Sequence, residues 1–245
     1  MRDYILNTIA FADQLKSGRK QEAFMESVKA LGFDGVEIRS EFLQEGLKEI
    51  REIRQAAERC GLKLYYSVND AIFLDGQINE KIQDYLQQAS DMQAVHVKFN
   101  LGGFKKYQGS LKQDLKPFLS TAIEVHVENN QTKAQSALDD FLAFFQDAKA
   151  NDVPITFCFD IANWYWTGVL PEDAAKKLAV STAYLHLKNK ISTNEGLKTV
   201  PLLEGDILWQ DLLRYFRKDI PIALEYPGNL QSVEGGLKAV REMES

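Results

Sequence analysis

The chain has 245 residues, of which 45% are hydrophobic and 26% are charged, and its formal net charge is −6. This length and composition fit one soluble globular domain. The acidic balance, with no basic stripe, argues against binding to nucleic acid or to an anionic membrane surface. No apolar run reaches the length of a membrane span and no signal peptide is predicted before the first strand, so we expect a cytoplasmic protein.

Short hydrophobic runs alternate with stretches of helical periodicity along the whole chain. The runs predict strands at 4–8, 34–38, 62–68, 94–99, 122–130, 155–160, 183–186 and 220–225. Helices are predicted over 21–31, 43–59, 79–92, 110–119 and 136–151, from 171 onward, and over 209–216 and 232–243, with a long loop at 189–206. The strand centres recur about every 30 residues, which is the size of one βα unit.

Eight such units predict an α/β protein, namely a single-domain (β/α)8 TIM barrel that covers residues 1–245. The competing arrangement is a doubly wound open sheet. Such a sheet normally carries a Gly-rich phosphate-binding turn after its first strand, and residues 8–13 contain no glycine. We therefore favour the barrel.

Four of the predicted strands end in a side chain that can bind a metal ion. These side chains are Glu128, Asp160, His186 and Glu225. Because the carboxyl ends of the strands of a TIM barrel meet at one mouth, we expect the four to converge there. Three carboxylates and one imidazole suit a single divalent ion, and the ligand set alone does not choose among Mn²⁺, Mg²⁺, Co²⁺ and Zn²⁺.

Side-chain alternation indicates which face of each strand points into the barrel. The ligand candidates share their face with other polar residues, whereas the opposite face is aliphatic or aromatic, so the polar face is predicted to line the lumen. The same alternation places five further polar residues inside, namely Glu37, Arg39, His96, Lys98 and Asn100. A lumen with this many charges needs a metal ion, mutual pairing or a bound ligand.

Several residues are predicted to contact a substrate at this mouth. Lys188 could donate to a developing oxyanion, Asn163 and Trp164 follow the strand that ends at Asp160, and Glu37, His96 and Lys98 belong to the opposite wall. For any single residue, the alternative is an ordinary ion pair or packing role. In particular, His96 lies a layer deeper than the strand ends and is first interpreted as a satisfied interior histidine.

Several segments resemble those of the sugar isomerase/epimerase family of xylose-isomerase-like barrels. They are Ala30-Leu-Gly-Phe-Asp-Gly-Val-Glu37, Val127-Glu-Asn129, Phe159-Asp160, Tyr184-Leu-His-Leu-Lys188, Pro201-Leu-Leu-Glu-Gly-Asp206 with Trp209, and Ala223-Leu-Glu225. The segments occur in the same order and span nearly the whole chain. The resemblance implies that Glu128, Asp160, His186 and Glu225 bind one divalent ion. It also implies that the two glutamates transfer protons on an enediolate.

Three positions depart from the pattern of that family. Asn163 stands where many relatives have histidine, and Asn189 stands where an acid usually follows the lysine. No arginine occurs between Arg59 and Arg214, so the loop arginine with which the ketose epimerases hold substrate is missing. These departures leave the expected metal ligands intact and leave the substrate open.

The leading hypothesis is a divalent-metal-dependent isomerase or epimerase of a small sugar or related polyhydroxy carbonyl compound. Glu128 and Glu225 would act as base and acid on the substrate, with Lys188 as a third catalytic group. The alternatives are a metal-dependent dehydratase of a cyclic polyol or keto-acid and a non-catalytic sugar-binding barrel, and a homo-oligomer stays open. A DNA-repair endonuclease of this fold needs many histidine ligands and a basic surface. The chain has three histidines and an acidic net charge.

Overall fold

The computed structural model describes residues 2–119 and 123–244, so Ala122, in the fifth predicted strand, lies outside the described residues. Within these ranges, eight parallel strands form the barrel. They are β1 (Tyr4–Asn7), β2 (Gly35–Arg39), β3 (Lys63–Leu74), β5 (His96–Gly102), β6 (Glu124–Glu128), β7 (Ile155–Asp160), β8 (Thr182–Leu187) and β11 (Ile222–Leu224). Outside this ring lie β4 (Gln77–Ile78), β9 (Asn189–Thr193) and β10 (Gly196–Val200).

Strand pairing closes the ring. The order is β2-β1-β11-β8-β7-β6-β5-β3, and β3 pairs in parallel with β2 to complete the circle. Neighbouring strands are in register at the mouth, with Asp160 beside His186 on β8 and His186 beside Ala223 on β11. The predicted (β/α)8 barrel is confirmed.

Helices follow most of the barrel strands and cover their outer face. They are α1 (Ala12–Lys16), α2 (Met25–Ala30), α3 (Leu47–Cys60), α4 (Ile82–Met92), α5 (Leu138–Ala150), α6 (Trp164–Thr167), α7 (Pro171–Leu178), α8 (Trp209–Leu213) and α9 (Leu230–Glu244). Helix α3 shows why the sequence folds this way. Ile50, Ile53 and Ala57 recur at helical spacing and are buried. The helix ends where Gly61 adopts a left-handed φ of 60°.

Two segments differ from the predicted elements. The helix predicted at 110–119 is a π-helical turn (Leu111–Leu115) followed by a 3-10 turn (Lys116–Leu119), because Pro117 has no N–H with which to continue an α-helix. The predicted loop at 189–206 contains the β9–β10 hairpin, which pairs only with itself over Asn189–Val200. Its strands are short and only partly buried, and neither has the hydrophobic run that predicts a barrel strand.

The barrel has two apolar regions, as the alternation of side chains predicts. Residues such as Val36, Ile38 and Leu185 belong to the main core, in which the outer faces of the strands pack against the helices. A separate small cluster contains Ile5, Tyr65, Cys158, Tyr184 and Ala223. Since these residues share the inward parity, this second cluster fills the lumen beneath the mouth. None of the helices in the described residues is both long enough and apolar enough to span a membrane.

Candidate metal and substrate site

Four side chains converge at the mouth of the barrel, just above the small apolar cluster that fills the lumen. Glu128, Asp160, His186 and Glu225 each offer one ligand atom, and these atoms all lie within 4.8 Å of one another. All four residues are buried, with at most 6% of their surface exposed. The strands that carry them, β6, β7, β8 and β11, are consecutive in the ring, so the four strand ends form one continuous wall.

Each of the two ligand candidates on β6 and β7 uses one carboxylate oxygen for contacts outside the cluster, and we call this its outer atom. Oε2 of Glu128 forms an ion pair with Nζ of Lys98. Oδ1 of Asp160 accepts hydrogen bonds from the backbone N–H groups of Ala162 and Asn163, each at 2.8 Å. Because these contacts fix the orientation of both carboxylates, their second oxygens, the inner atoms, point toward the cluster.

The same division applies to the ligand candidates on β8 and β11. Nε2 of His186 lies 3.1 Å from a carboxylate oxygen of Glu37, which in turn accepts a hydrogen bond from the side chain of Asn7. With Nε2 directed at Glu37, Nδ1 faces the cluster and is the inner atom. Oε1 of Glu225, its outer atom, accepts a hydrogen bond from Nη1 of Arg39 at 2.8 Å. Its inner atom is Oε2.

The four inner atoms have few partners within the protein. Oε1 of Glu128 and Nδ1 of His186 are buried and have no hydrogen-bond partner among the described residues. Oδ2 of Asp160 is also buried, and it forms an ion pair with Nζ of Lys188 at 2.8 Å. Oε1 of Glu128 and Nδ1 of His186 are only 2.7 Å apart, but their orientation does not make this contact a hydrogen bond. Buried polar atoms are normally satisfied. Three carboxylate oxygens and one imidazole nitrogen in this arrangement fit a divalent cation.

Cations within hydrogen-bonding distance set the charge of the carboxylates. Burial alone would raise the pKa of Glu128, but the ammonium group of Lys98 and the imidazole of His186 together outweigh burial and lower that pKa to about 2. Burial raises the pKa of Asp160 to about 6 although the ammonium group of Lys188 opposes the shift. Burial would lower the pKa of Lys188, yet Asp160 and Glu225 hold it above its usual value. The site therefore contains fixed positive charges beside its acids.

A cavity of about 550 Å³ opens above the cluster and is lined by charged and neutral polar groups. Its charged lining residues are Arg39, Asp70, Lys98, Glu128, Lys188 and Glu225. Its neutral polar lining residues are Asn69, Asn100, Asn130, Gln131, Thr132, Gln135, Asn163 and Thr199. A volume of this order accommodates a small organic ligand.

Only some of the residues that were predicted to contact substrate line the cavity. Lys98, Asn163 and Lys188 line the cavity, whereas Glu37, His96 and Trp164 are not among its lining residues. Glu37 lies behind His186 with none of its surface exposed. We therefore propose substrate contacts for Lys98, Asn163 and Lys188 and none for these three side chains.

Packing contacts keep the side chains of His96 and Trp164 away from the cavity lining. His96 lies in the lumen, with its ring centroid 4.3 Å from those of both His126 and Tyr184. Trp164 is fully buried, and its ring packs against Phe141 and Phe159, with each pair of ring centroids 5.8 Å apart. Because α6 turns Trp164 into the layer between barrel and helices, its indole faces away from the cavity.

Asn163 is held in one amide orientation. Its Nδ2 donates a hydrogen bond to the backbone carbonyl of Asn129 at 2.7 Å. Its Oδ1 is buried and has no partner among the described residues. Since the carbonyl of Asn129 can only accept, it fixes which end of the amide is the donor. Asn163, one of the residues that line the cavity, therefore keeps a buried and unused acceptor.

Sequence reasoning assigned no role to Arg39 and did not include Asn7 in the site. Alternation places Arg39 inside, but its partner Glu225 is 186 positions away in the chain. Asn7 ends β1, which lies between β2 and β11 in the ring, so its side chain reaches both Glu37 and Glu225. In the sequence, the alternation along β1 and β2 indicates only that both side chains point into the barrel. Only ring closure shows which residues they meet.

No family model matches the sequence, and no curated protein is similar to it in sequence. Solved structures share its fold. The probable 3-DHS dehydratase AsbF from Bacillus anthracis is 17% identical, with a TM-score of 0.73 over 98% of this chain and 99% of that chain. D-psicose 3-epimerase from Clostridium cellulolyticum H10 is 11% identical, with a TM-score of 0.69 over 98% and 99%.

A third solved structure names the fold. It is a fusion of a xylose isomerase-like TIM barrel with 4-hydroxyphenylpyruvate dioxygenase, 14% identical, with a TM-score of 0.73 over 99% of this chain and 43% of that chain. At these identities the likeness shows the fold alone. This chain has the fold of the xylose-isomerase-like TIM barrels, as the sequence resemblance implied.

Proposed function

We propose that this protein is a divalent-metal-dependent isomerase or epimerase of a small polyhydroxylated carbonyl compound. One observation carries the proposal. Four buried ligand atoms on consecutive strand ends lie within 4.8 Å of one another, and two of them, Oε1 of Glu128 and Nδ1 of His186, lack a hydrogen-bond partner among the described residues. Buried polar atoms that the protein leaves unsatisfied require an explanation, and a bound ion would supply one here.

The residues that would hold the ion are Glu128, Asp160, His186 and Glu225. A divalent ion at this position would polarise a carbonyl oxygen and a neighbouring hydroxyl of the substrate and make the C–H bond between them more acidic. Mn²⁺, Mg²⁺, Co²⁺ and Zn²⁺ are all compatible with three carboxylates and one imidazole.

The proton transfers are assigned to the two glutamates of this set. Glu128 on β6 and Glu225 on β11 are three strands apart in the ring, and both line the cavity. A substrate held between them would meet one carboxylate on each side, so one could remove the C–H proton and the other return it. Lys188 also lines the cavity and could donate a hydrogen bond to the oxygen that gains charge.

The polar residues that line the cavity favour a substrate with several hydroxyl groups. Amide and hydroxyl side chains, which both donate and accept hydrogen bonds, make up most of the polar lining. The buried, unused Oδ1 of Asn163 could accept a hydrogen bond from one hydroxyl if the substrate reaches it. The Clostridium structure of this fold is described as a D-psicose 3-epimerase with D-tagatose, and a ligand of that class fits the proposal.

Dehydration of a cyclic polyol or keto-acid is the second candidate. The cavity is lined by three cations, Arg39, Lys98 and Lys188, which could bind the carboxylate of such a substrate. The Bacillus structure of this fold is described as a probable dehydratase. Dehydration would begin with the same proton removal and would then expel a β-hydroxide, so the two candidates differ in their products.

The test combines metal analysis with a substrate screen. The purified protein is analysed for bound metals, and its metal-free and Mn²⁺-reconstituted forms are incubated with ketoses, inososes and cyclic keto-acids in deuterium oxide. We expect deuterium at a substrate carbon only with the reconstituted form. Isomer formation supports the first candidate, and loss of water supports the second. Tight binding of a ligand without deuterium uptake would instead indicate a non-catalytic binding protein.

A further inference from the structure

Lys188 is the lysine whose ammonium group contacts inner atoms of the ligand cluster. Lys98 and Arg39 contact only outer oxygens of the ligand cluster. The Nζ atom of Lys188, in contrast, lies 2.8 Å from Oδ2 of Asp160 and 2.9 Å from Oε2 of Glu225, which are both inner atoms. The ammonium group thus bridges two of the four atoms that a divalent ion would need.

The bridging position has a physical reason in the metal-free protein. Three buried carboxylates that share one site repel one another, and buried charge without a counter-ion is strongly unfavourable. Lys188 is itself buried, with 8% of its side chain exposed. Its ammonium group supplies positive charge between the two carboxylates, so the cluster can fold before any ion arrives.

An ion and this ammonium group cannot both bridge the same two oxygens. Divalent ions in such sites lie about 2.0–2.6 Å from their ligand atoms. An ion between Oδ2 of Asp160 and Oε2 of Glu225 would take the place of the ammonium group, and the two positive charges would repel each other at that separation. The side chain of Lys188 ends beside the open cavity that it helps to line, so the ammonium group has space to move into.

We propose that Lys188 is the internal counter-ion of the ligand cluster, and that a divalent ion displaces its ammonium group from Asp160 and Glu225 into the cavity. There the freed group becomes a donor for a substrate oxygen. The inference rests on the proposed metal site. It adds that metal loading and the exposure of a substrate-binding lysine are one event, and that the lysine competes with the ion.

Lys98 provides a matched control because it contacts the outer atom of Glu128. An ion bound at the inner atoms leaves this ion pair in place, and the pair helps to orient the carboxylate. Removing the two lysines should therefore change metal affinity in opposite directions. Loss of Lys188 removes a competitor, whereas loss of Lys98 removes a support.

The experiment compares metal-free wild type, Lys188→Met and Lys98→Met in calorimetric titrations with Mn²⁺. We expect Lys188→Met to bind Mn²⁺ at least about tenfold more tightly than wild type, and Lys98→Met to bind it at least about tenfold more weakly. Equal or weaker binding by Lys188→Met would overturn the inference. If wild type binds no ion and Lys188→Met does, the competition stands and the metal-dependent function fails. If neither binds, both proposals fail.

A measurement on wild type covers the case in which a variant does not fold. The protein is treated briefly with acetic anhydride with and without Mg²⁺ at a saturating concentration, and acetylation of each lysine is followed by mass spectrometry. We expect Mg²⁺ to increase the acetylation rate of Lys188 several-fold relative to that of Lys98. An unchanged or slower rate at Lys188 would contradict displacement.

Discussion

A carboxylate oxygen of Glu37 lies 3.1 Å from Nε2 of His186, on the side of the imidazole that faces away from the ligand cluster. The two residues are 149 positions apart in the chain, and both are fully buried. Glu37 fixes the ring orientation of His186 and the nitrogen that carries its proton, so it prepares Nδ1 as a ligand.

This contact predicts that Glu37→Gln weakens metal binding. The amide keeps the volume of the side chain but loses the charge that stabilises the Nε2 proton of His186. We expect Mn²⁺ affinity to fall about 10–100-fold. Calorimetric titration measures the change, and circular dichroism checks the fold. Glu41→Gln, which removes a carboxylate that pairs with Arg39 outside the cluster, is the control and should change the affinity less. Equal affinities for Glu37→Gln and wild type would remove Glu37 from the metal site.

The two glutamates are predicted to have separable roles in proton transfer. Glu128→Gln and Glu225→Gln each remove a proton carrier and weaken the ion together, so both variants need Mn²⁺ in excess. If one glutamate removes the proton and the other returns it, one variant should still exchange the substrate C–H proton with deuterium oxide without completing the reaction. The other should do neither. Turnover should fall by at least about 100-fold in both. Near-wild-type turnover in both metal-loaded variants would make the assignment wrong.

Metal affinity is predicted to fall as the solution becomes acidic. Burial raises the pKa of Asp160 to about 6, and its carboxylate must be deprotonated to bind an ion. Below that pKa the proton competes with the metal, so the apparent affinity should decrease by up to about tenfold per pH unit between pH 6 and pH 5. Mn²⁺ titrations at pH 5, 6, 7 and 8 measure the slope. Affinity that is constant over this range would contradict the protonation of Asp160.

The same pKa predicts how Asp160 affects folding of the metal-free protein. The folded-state pKa of about 6 lies above the ordinary value of 3.8, so the folded protein binds this proton more tightly than the unfolded chain. The contribution of Asp160 to stability therefore increases as the pH falls from about 6 toward 4. Urea denaturation of wild type and Asp160→Asn should show a pH-dependent difference in that window. Parallel stability curves would refute it.

Asn163 is predicted to support both the loop and the ligand. Asn163→Ala leaves the backbone carbonyl of Asn129 without its donor, so we expect a loss of about 1–3 kcal/mol in the free energy of unfolding. Asn163→Asp keeps the acceptor toward the cavity but loses that donor. Ligand affinity should therefore fall about tenfold or more in Asn163→Ala and less in Asn163→Asp. Equal affinities in wild type and Asn163→Ala would show that Oδ1 has no part in binding.

Trp164 is predicted to affect stability and not binding. Its ring is buried among phenylalanines, so Trp164→Ala should destabilise the protein by about 3–5 kcal/mol. Trp164→Phe should retain ligand affinity within about twofold, because the indole does not line the cavity. Urea denaturation and ligand titration measure the two effects. A large loss of ligand affinity in Trp164→Phe, with an intact fold, would support a substrate contact for Trp164.

The sequence by itself determined the barrel and the faces of its strands. Hydrophobic runs at a period of about 30 residues predict eight βα units, and alternation along each strand states which side chains point inward. Glu128, Asp160, His186 and Glu225 share both the strand end and the inward parity, so their grouping followed from local pattern alone. Local periodicity is sufficient here because each strand obeys the same geometric rule.

Tertiary structure decided the partners of these residues. The contact of Glu37 with His186, that of Arg39 with Glu225 and the bridge of Lys188 between two carboxylates depend on which strands become neighbours when the ring closes. The burial of Trp164 likewise depends on the turn that follows Asp160. The side chain of Asp160 accepts hydrogen bonds from the backbone N–H groups of Ala162 and Asn163 in that turn. These contacts join residues that are far apart in the chain or fixed by one turn, and periodicity carries no information about either.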